Sequence, residues 1–133
     1  MRKRRDSGFT LVEIMIVIAI MGALLGILLP SYTHAMAQGK LSACKSNLKN
    51  LSTAIETYRN DYGGQAPPMM RSLAPTYLAV LPTCPSRGET YSRSVSDDAP
   101  DSYVLFCRNW GHGELGLASN FPQYSPAVGM LEK

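Results

Sequence analysis

Three cysteines, two histidines and one acidic residue at the edge of an apolar run are the side chains here whose chemistry could set function. Cys44, Cys84 and Cys107 are odd in number, so one disulfide leaves a thiol over. Cys44 falls on an apolar helical stripe, where a thiol serves as a small hydrophobe. Cys84 lies in a proline-rich loop and Cys107 ends a strand-like segment. Among the arrangements open to three cysteines, a disulfide joining Cys84 to Cys107 is the favoured candidate, stapling a loop-rich domain. A zinc site from Cys84, Cys107 and His112 lacks the paired Cys-x-x-Cys spacing, so no metal site is expected. His34 and His112 have no identifiable nucleophile or orienting acid, and no catalytic residue, cofactor or enzymatic activity is expected. Glu13 is a different matter. A carboxylate at the margin of an apolar run costs roughly 2.5 to 3.5 kcal/mol or more once drawn toward a bilayer centre, so it needs a positive partner.

The elements that carry these residues follow from charge and periodicity. Arg2, Lys3, Arg4 and Arg5 form a basic leader, and after Glu13 no Lys, Arg, Asp or Glu occurs until Lys40. Residues 14–33 supply the roughly 20 mostly apolar positions that a helix needs to cross a bilayer. The leader charges hold their end in the cytoplasm and send the rest outward, where disulfides persist. Removing residues 1–8 leaves nine basic and nine acidic side chains, so the net charge of +3 belongs to the leader. No direct nucleic-acid binding is expected of a remainder without a basic footprint. Gly22 and Gly26 form a GxxxG pair on the apolar segment, and Pro30 is expected to kink the helix rather than stop it.

The sequence Gly8-Phe9-Thr10-Leu11-Val12-Glu13 after a short basic leader, running into an apolar segment with Pro30 and Tyr32, resembles the N-terminus of type IV prepilins and type II secretion or competence pseudopilins. The resemblance implies cleavage between Gly8 and Phe9 by a prepilin peptidase and methylation of the new Phe9 amine. It implies that Glu13 pairs, during assembly, with the N-terminal amine of a neighbouring subunit. Opposite charges about 4 Å apart at an effective dielectric near 20 attract by about 4 kcal/mol, enough to offset burying the carboxylate. The implied partners are the peptidase, further subunits in a homo-oligomeric filament, the inner membrane and an assembly platform. The implied location is the bacterial inner membrane, single-pass with the N-terminus cytoplasmic, and a filament after assembly. Members of the family often bind calcium near the C-terminus. The acidic cluster here, Asp97, Asp98 and Asp101, reads as a solvated turn, because calcium requires six to eight oxygens. An alternative is a secretory signal cut after Ala37 in Ala35-Met36-Ala37, which would release a soluble binding domain. The apolar run at 14–29 is slightly long for that, and Glu13 is a poor guest in a signal core.

The implied fold is α+β: a pilin-like lollipop with a long N-terminal helix on a small antiparallel sheet. It divides into a leader at 1–8, a transmembrane and assembly helix at 9–33 and an extracytoplasmic domain at 34–133. Periodicity supports the helix independently, since Leu41, Cys44, Leu48, Leu51, Ile55, Tyr58 and Tyr62 recur at spacings that fall on one face. A single helix over 9–62 would measure about 80 Å, with Gly63 and Gly64 capping it. Five prolines between 65 and 85 permit one helical turn, near 70–73. Residues 90–95 and 103–106 read as a hairpin around the 97–101 turn. Residues 115–118 could add an edge strand, and 121–126 read as an extended tail. The sheet and the helix stripe each need cover, so each is expected to cover the other.

Overall fold

The apolar spacing that begins at Leu41 is realised in a helix, α1, Leu11–Asp61, that continues past Pro30. The computed structural model describes residues 8–95, 102–108 and 111–132. The chain divides into two units, Met1–Ala35 and Met36–Lys133. In the first, the described side chains are exposed along the whole helical surface, and α1 is long and apolar enough to cross a membrane. Pro30 cannot donate the backbone bond that residue 26 would accept, and the Thr33 hydroxyl donates to the Pro30 carbonyl at 3.0 Å.

In the second unit the 3,4 stripe is a true core face. Cys44, Leu48, Leu51 and Ile55 are essentially inaccessible, and Ser52 and Ala54 widen the buried surface. Each large aliphatic side chain removed from water here contributes about 1.5 to 3 kcal/mol. Tyr58 packs at the margin, while Tyr62 lies one residue past the helix and stays exposed, stacked on Tyr58 with ring centroids 4.3 Å apart. The stripe therefore ends one turn earlier than its spacing suggests. Gly63 and Gly64 both have positive φ, and the Gly64 N–H donates to the Arg59 carbonyl at 2.7 Å while Arg59 Nε donates to the Gly64 carbonyl at 3.1 Å. That closes the orphan carbonyls of the last turn.

A 3-10 turn at Met70–Leu73 brings Leu73 into the core. The sheet is an antiparallel meander of β1 (Ser92–Val95), β2 (Tyr103–Phe106), β3 (Gln123–Ser125) and β4 (Gly129–Leu131) in chain order. β1 and β2 pair from Ser92 opposite Phe106 to Val95 opposite Tyr103, as expected for the hairpin; its 97–101 turn lies outside the described residues, and with it Asp97, Asp98 and Asp101. Alternation along β2 sends Tyr103 and Leu105 against α1. The Tyr103 hydroxyl donates to the Glu56 carboxylate and lies 2.9 Å from the Ser52 hydroxyl, so a buried polar group is satisfied by the helix it packs on.

The expected edge strand at 115–118 is a correction. Gly113–Leu115 is a 3-10 turn ended by Gly116 at φ 77, and the additional strands are β3, inside the tail expected at 121–126, and β4, beyond it. There Tyr124 pairs with Leu105 on one side and Met130 on the other, and both Tyr124 and Met130 pack on the core. Three-residue strands carry too short a period for alternation to be read from sequence.

Candidate functional site

Two places in the chain concentrate chemistry. At the first, Thr10 precedes α1 and caps it: its Oγ1 accepts from the Glu13 N–H at 3.3 Å, and its carbonyl accepts from the same N–H at 3.1 Å. Helix N-termini leave four N–H groups without internal partners, and a threonine at this position satisfies one of them. Thr10-x-x-Glu13 has the spacing of a capping box, a signal in the sequence that the assembly reading of Glu13 passed over. The Glu13 charge in the first turn is also favourable to the helix dipole. Its carboxylate has no partner among the described residues. The helix start thus fixes the position of a charge that remains free to pair.

Gly8 and Phe9 lie just before this cap, both exposed. A Cβ added at Gly8 would meet nothing within 4 Å, and its backbone does not lie in the left-handed region. Nothing among the described residues requires glycine there. The apolar side chains from Leu11 to Leu29 are likewise uncovered, Leu11 at 75% and Ile27 at 77% exposed. A continuous surface of that kind calls for lipid or other helices as its surroundings.

The second place lies inside the Met36–Lys133 unit. Cys84 and Cys107, the expected disulfide pair, do come together, with sulfurs 3.2 Å apart and unbonded. Cys44 and His112 join them, and the four ligand atoms all lie within 4.8 Å of one another. Each arrives from a different piece of structure. Cys44 comes from α1. Cys84 comes from a tight turn in which its N–H donates to the Glu89 carbonyl at 2.8 Å and the Gly88 N–H, at φ 72, returns to the Cys84 carbonyl. Cys107 follows β2, with its N–H bonded to the Pro122 carbonyl, and His112 precedes the 3-10 turn at Gly113–Leu115.

His112 is only 3% exposed. Its Nε2 lies 3.7 Å from the Cys84 sulfur and its Nδ1 lies 3.3 Å from the Ser86 hydroxyl. The Cys107 thiol draws Cys44 down to about 6, against the effect of burial, while the Cys44 contact and burial push Cys107 well up. Assigning Cys44 to the hydrophobic stripe was correct for burial and incomplete for chemistry. The sequence reading weighed His112 only in a zinc set with Cys84 and Cys107 that it set aside, and it left Cys44 out of that set. Their legible trace was the odd cysteine together with the short Cys107-x4-His112 spacing.

With this geometry in hand, comparison with known proteins bears on the first place. The prokaryotic N-terminal methylation motif matches residues 3–29. The chain is 34% identical over 100 residues to the type IV major pilin protein PilA of Myxococcus xanthus, covering 75% of this chain and 41% of that protein. It is 36% identical over 61 residues to the type II secretion system core protein G of Pseudomonas aeruginosa, covering 46% of this chain and 43% of that protein. It is also 44% identical over 55 residues to the type IV major fimbrial protein FimA of Dichelobacter nodosus, covering 41% of this chain and 35% of that protein. The chain therefore spans about two fifths of the length of these curated relatives. No solved structure matches it.

Proposed function

We propose, from the premise that the chain belongs to the type IV pilin and pseudopilin family, that it is a structural subunit of a type IV pilus or of a type II secretion or competence pseudopilus. It is made with its basic leader in the cytoplasm, cut by a prepilin peptidase between Gly8 and Phe9, and methylated on the Phe9 amine. The segment at 14–29 holds it in the inner membrane until subunits assemble through this helix. The observation that carries the reading is the methylation motif at 3–29, running into a helix whose apolar surface is uncovered by the other described residues. The alternative cut after Ala37 falls inside α1, three residues before its first buried side chain, Leu41.

On this reading Glu13 meets the N-terminal amine of a neighbouring subunit as both leave water. An unpaired charge in such a place costs several kcal/mol, so pairing sets the register of each added subunit. Glu13→Gln keeps the apolar run and the glycine at the cut, and it keeps the Thr10 cap, which uses the backbone N–H of residue 13. The variant is expected to insert and mature normally but to assemble poorly. An immunoblot for mature protein alongside filament counts, or a secretion or DNA-uptake assay, tests this. Normal maturation with normal assembly would remove the pairing role from Glu13.

A further inference from the structure

We infer that Cys44, Cys84, Cys107 and His112 form a closed structural zinc site inside the extracytoplasmic unit. Three observations converge on it.

The first is the donor set and its spacing. Tetrahedral zinc with bonds of about 2.3 Å to sulfur and about 2.0 Å to nitrogen sets its ligand atoms roughly 3.5 to 3.8 Å apart. Here the Cys84 sulfur is 3.2 Å from the Cys107 sulfur and 3.7 Å from His112 Nε2, with all four atoms inside 4.8 Å. Three thiols and one imidazole are the Cys3His set of structural zinc sites, and thiolate ligands select against calcium and magnesium, which require oxygen.

The second is how the surroundings prepare the site. All four residues are buried, the most exposed being His112 at 3%. The histidine turns Nε2 toward the sulfurs and Nδ1 toward the Ser86 hydroxyl, the outer contact that fixes the tautomer and ring orientation of a metal-binding histidine. Gly111 lies so close that a Cβ there would stand 3.2 Å from the Cys107 sulfur and 3.6 Å from that of Cys84. Glycine there keeps the space beside the sulfurs clear.

The third is what a disulfide leaves unexplained. Joining Cys84 to Cys107 would leave the Cys44 thiol and the His112 imidazole buried against the bridge. Zinc engages all four. Binding takes one proton from each thiol and leaves the centre with a single net negative charge. With four protein ligands no position remains for water or substrate, so the site is structural. It ties α1 to the end of β2 and to two loops that have little regular structure of their own.

Metal analysis of the full chain, purified in detergent without chelator, tests this and does not depend on whether the chain builds filaments. The expected result is one zinc per chain, with the three thiols resistant to alkylation until chelator is added. Cobalt(II) added to the stripped protein should give the visible bands of a tetrahedral thiolate site and be displaced by zinc. Cys44→Ser and His112→Gln should each lower zinc affinity at least tenfold, and the cobalt spectrum of the unaltered chain decides the matter if either variant fails to fold. Recovery of metal-free protein with Cys84 linked to Cys107 in non-reducing peptide maps would overturn the assignment. Zinc content that neither substitution alters in folded protein would do the same.

Discussion

Gly8 tests the proposed cleavage apart from the fold. A Cβ at this position would meet nothing within 4 Å and would strain no backbone, so Gly8→Val should leave the thermal melting of the Met36–Lys133 unit unchanged. Leader removal should nevertheless stop, with precursor accumulating in the membrane fraction; maturation at the normal rate would show that the cut lies elsewhere. Tyr103 is the opposite kind of residue, since its hydroxyl serves only the fold. Tyr103→Phe strips the buried contacts to Glu56 and Ser52 and should cost about 1 to 3 kcal/mol, because a hydrogen bond to a charged group is lost. Denaturant unfolding would measure it, and an unchanged midpoint would mean that the pair contributes nothing net. At this scale the sequence was legible where burial follows from residue type and periodicity, as for Leu48 and Ile55 on the helix stripe. It was not legible where chemistry depends on convergence. Cys44, Cys84 and Cys107 are 40 and 23 positions apart in the chain, and no local pattern states that their sulfurs meet.

Among the elements, α1 was the readable one. Its spacing repeats over several turns, and the glycines that end it have an unambiguous backbone role. Its core face should carry much of the unit's stability: Leu51→Ala or Ile55→Ala, each fully buried, should destabilise by about 2 to 5 kcal/mol. A loss below 1 kcal/mol in chemical denaturation would contradict the packing of the sheet on this face. The hairpin of β1 and β2 was also legible, from β-branched and aromatic residues over four or more positions. β3 and β4 were not, because three-residue strands are held by their partners rather than by their own pattern. Their register depends on Gly129 at φ 89 closing the turn after Ser125. Gly129→Ala should therefore cost about 1 to 2 kcal/mol, visible as faster amide exchange in β4; unchanged exchange would remove that role.

For the whole molecule, the division of labour follows the charge and apolar pattern. The described residues up to about 35 present apolar surface that no other described residue covers, whereas those after it bury a core of their own. The methylation motif lies within the first part and ends at residue 29. The thiol cluster lies within the second part. A processed, membrane-held subunit and a secreted soluble domain differ in where the mature chain begins. Intact mass combined with N-terminal sequencing of the protein from its native membrane reads that position directly. A chain starting at N-methylated Phe9 is the expected result, and a chain starting at Gln38, or retaining Met1 in cells with an active prepilin peptidase, would contradict it.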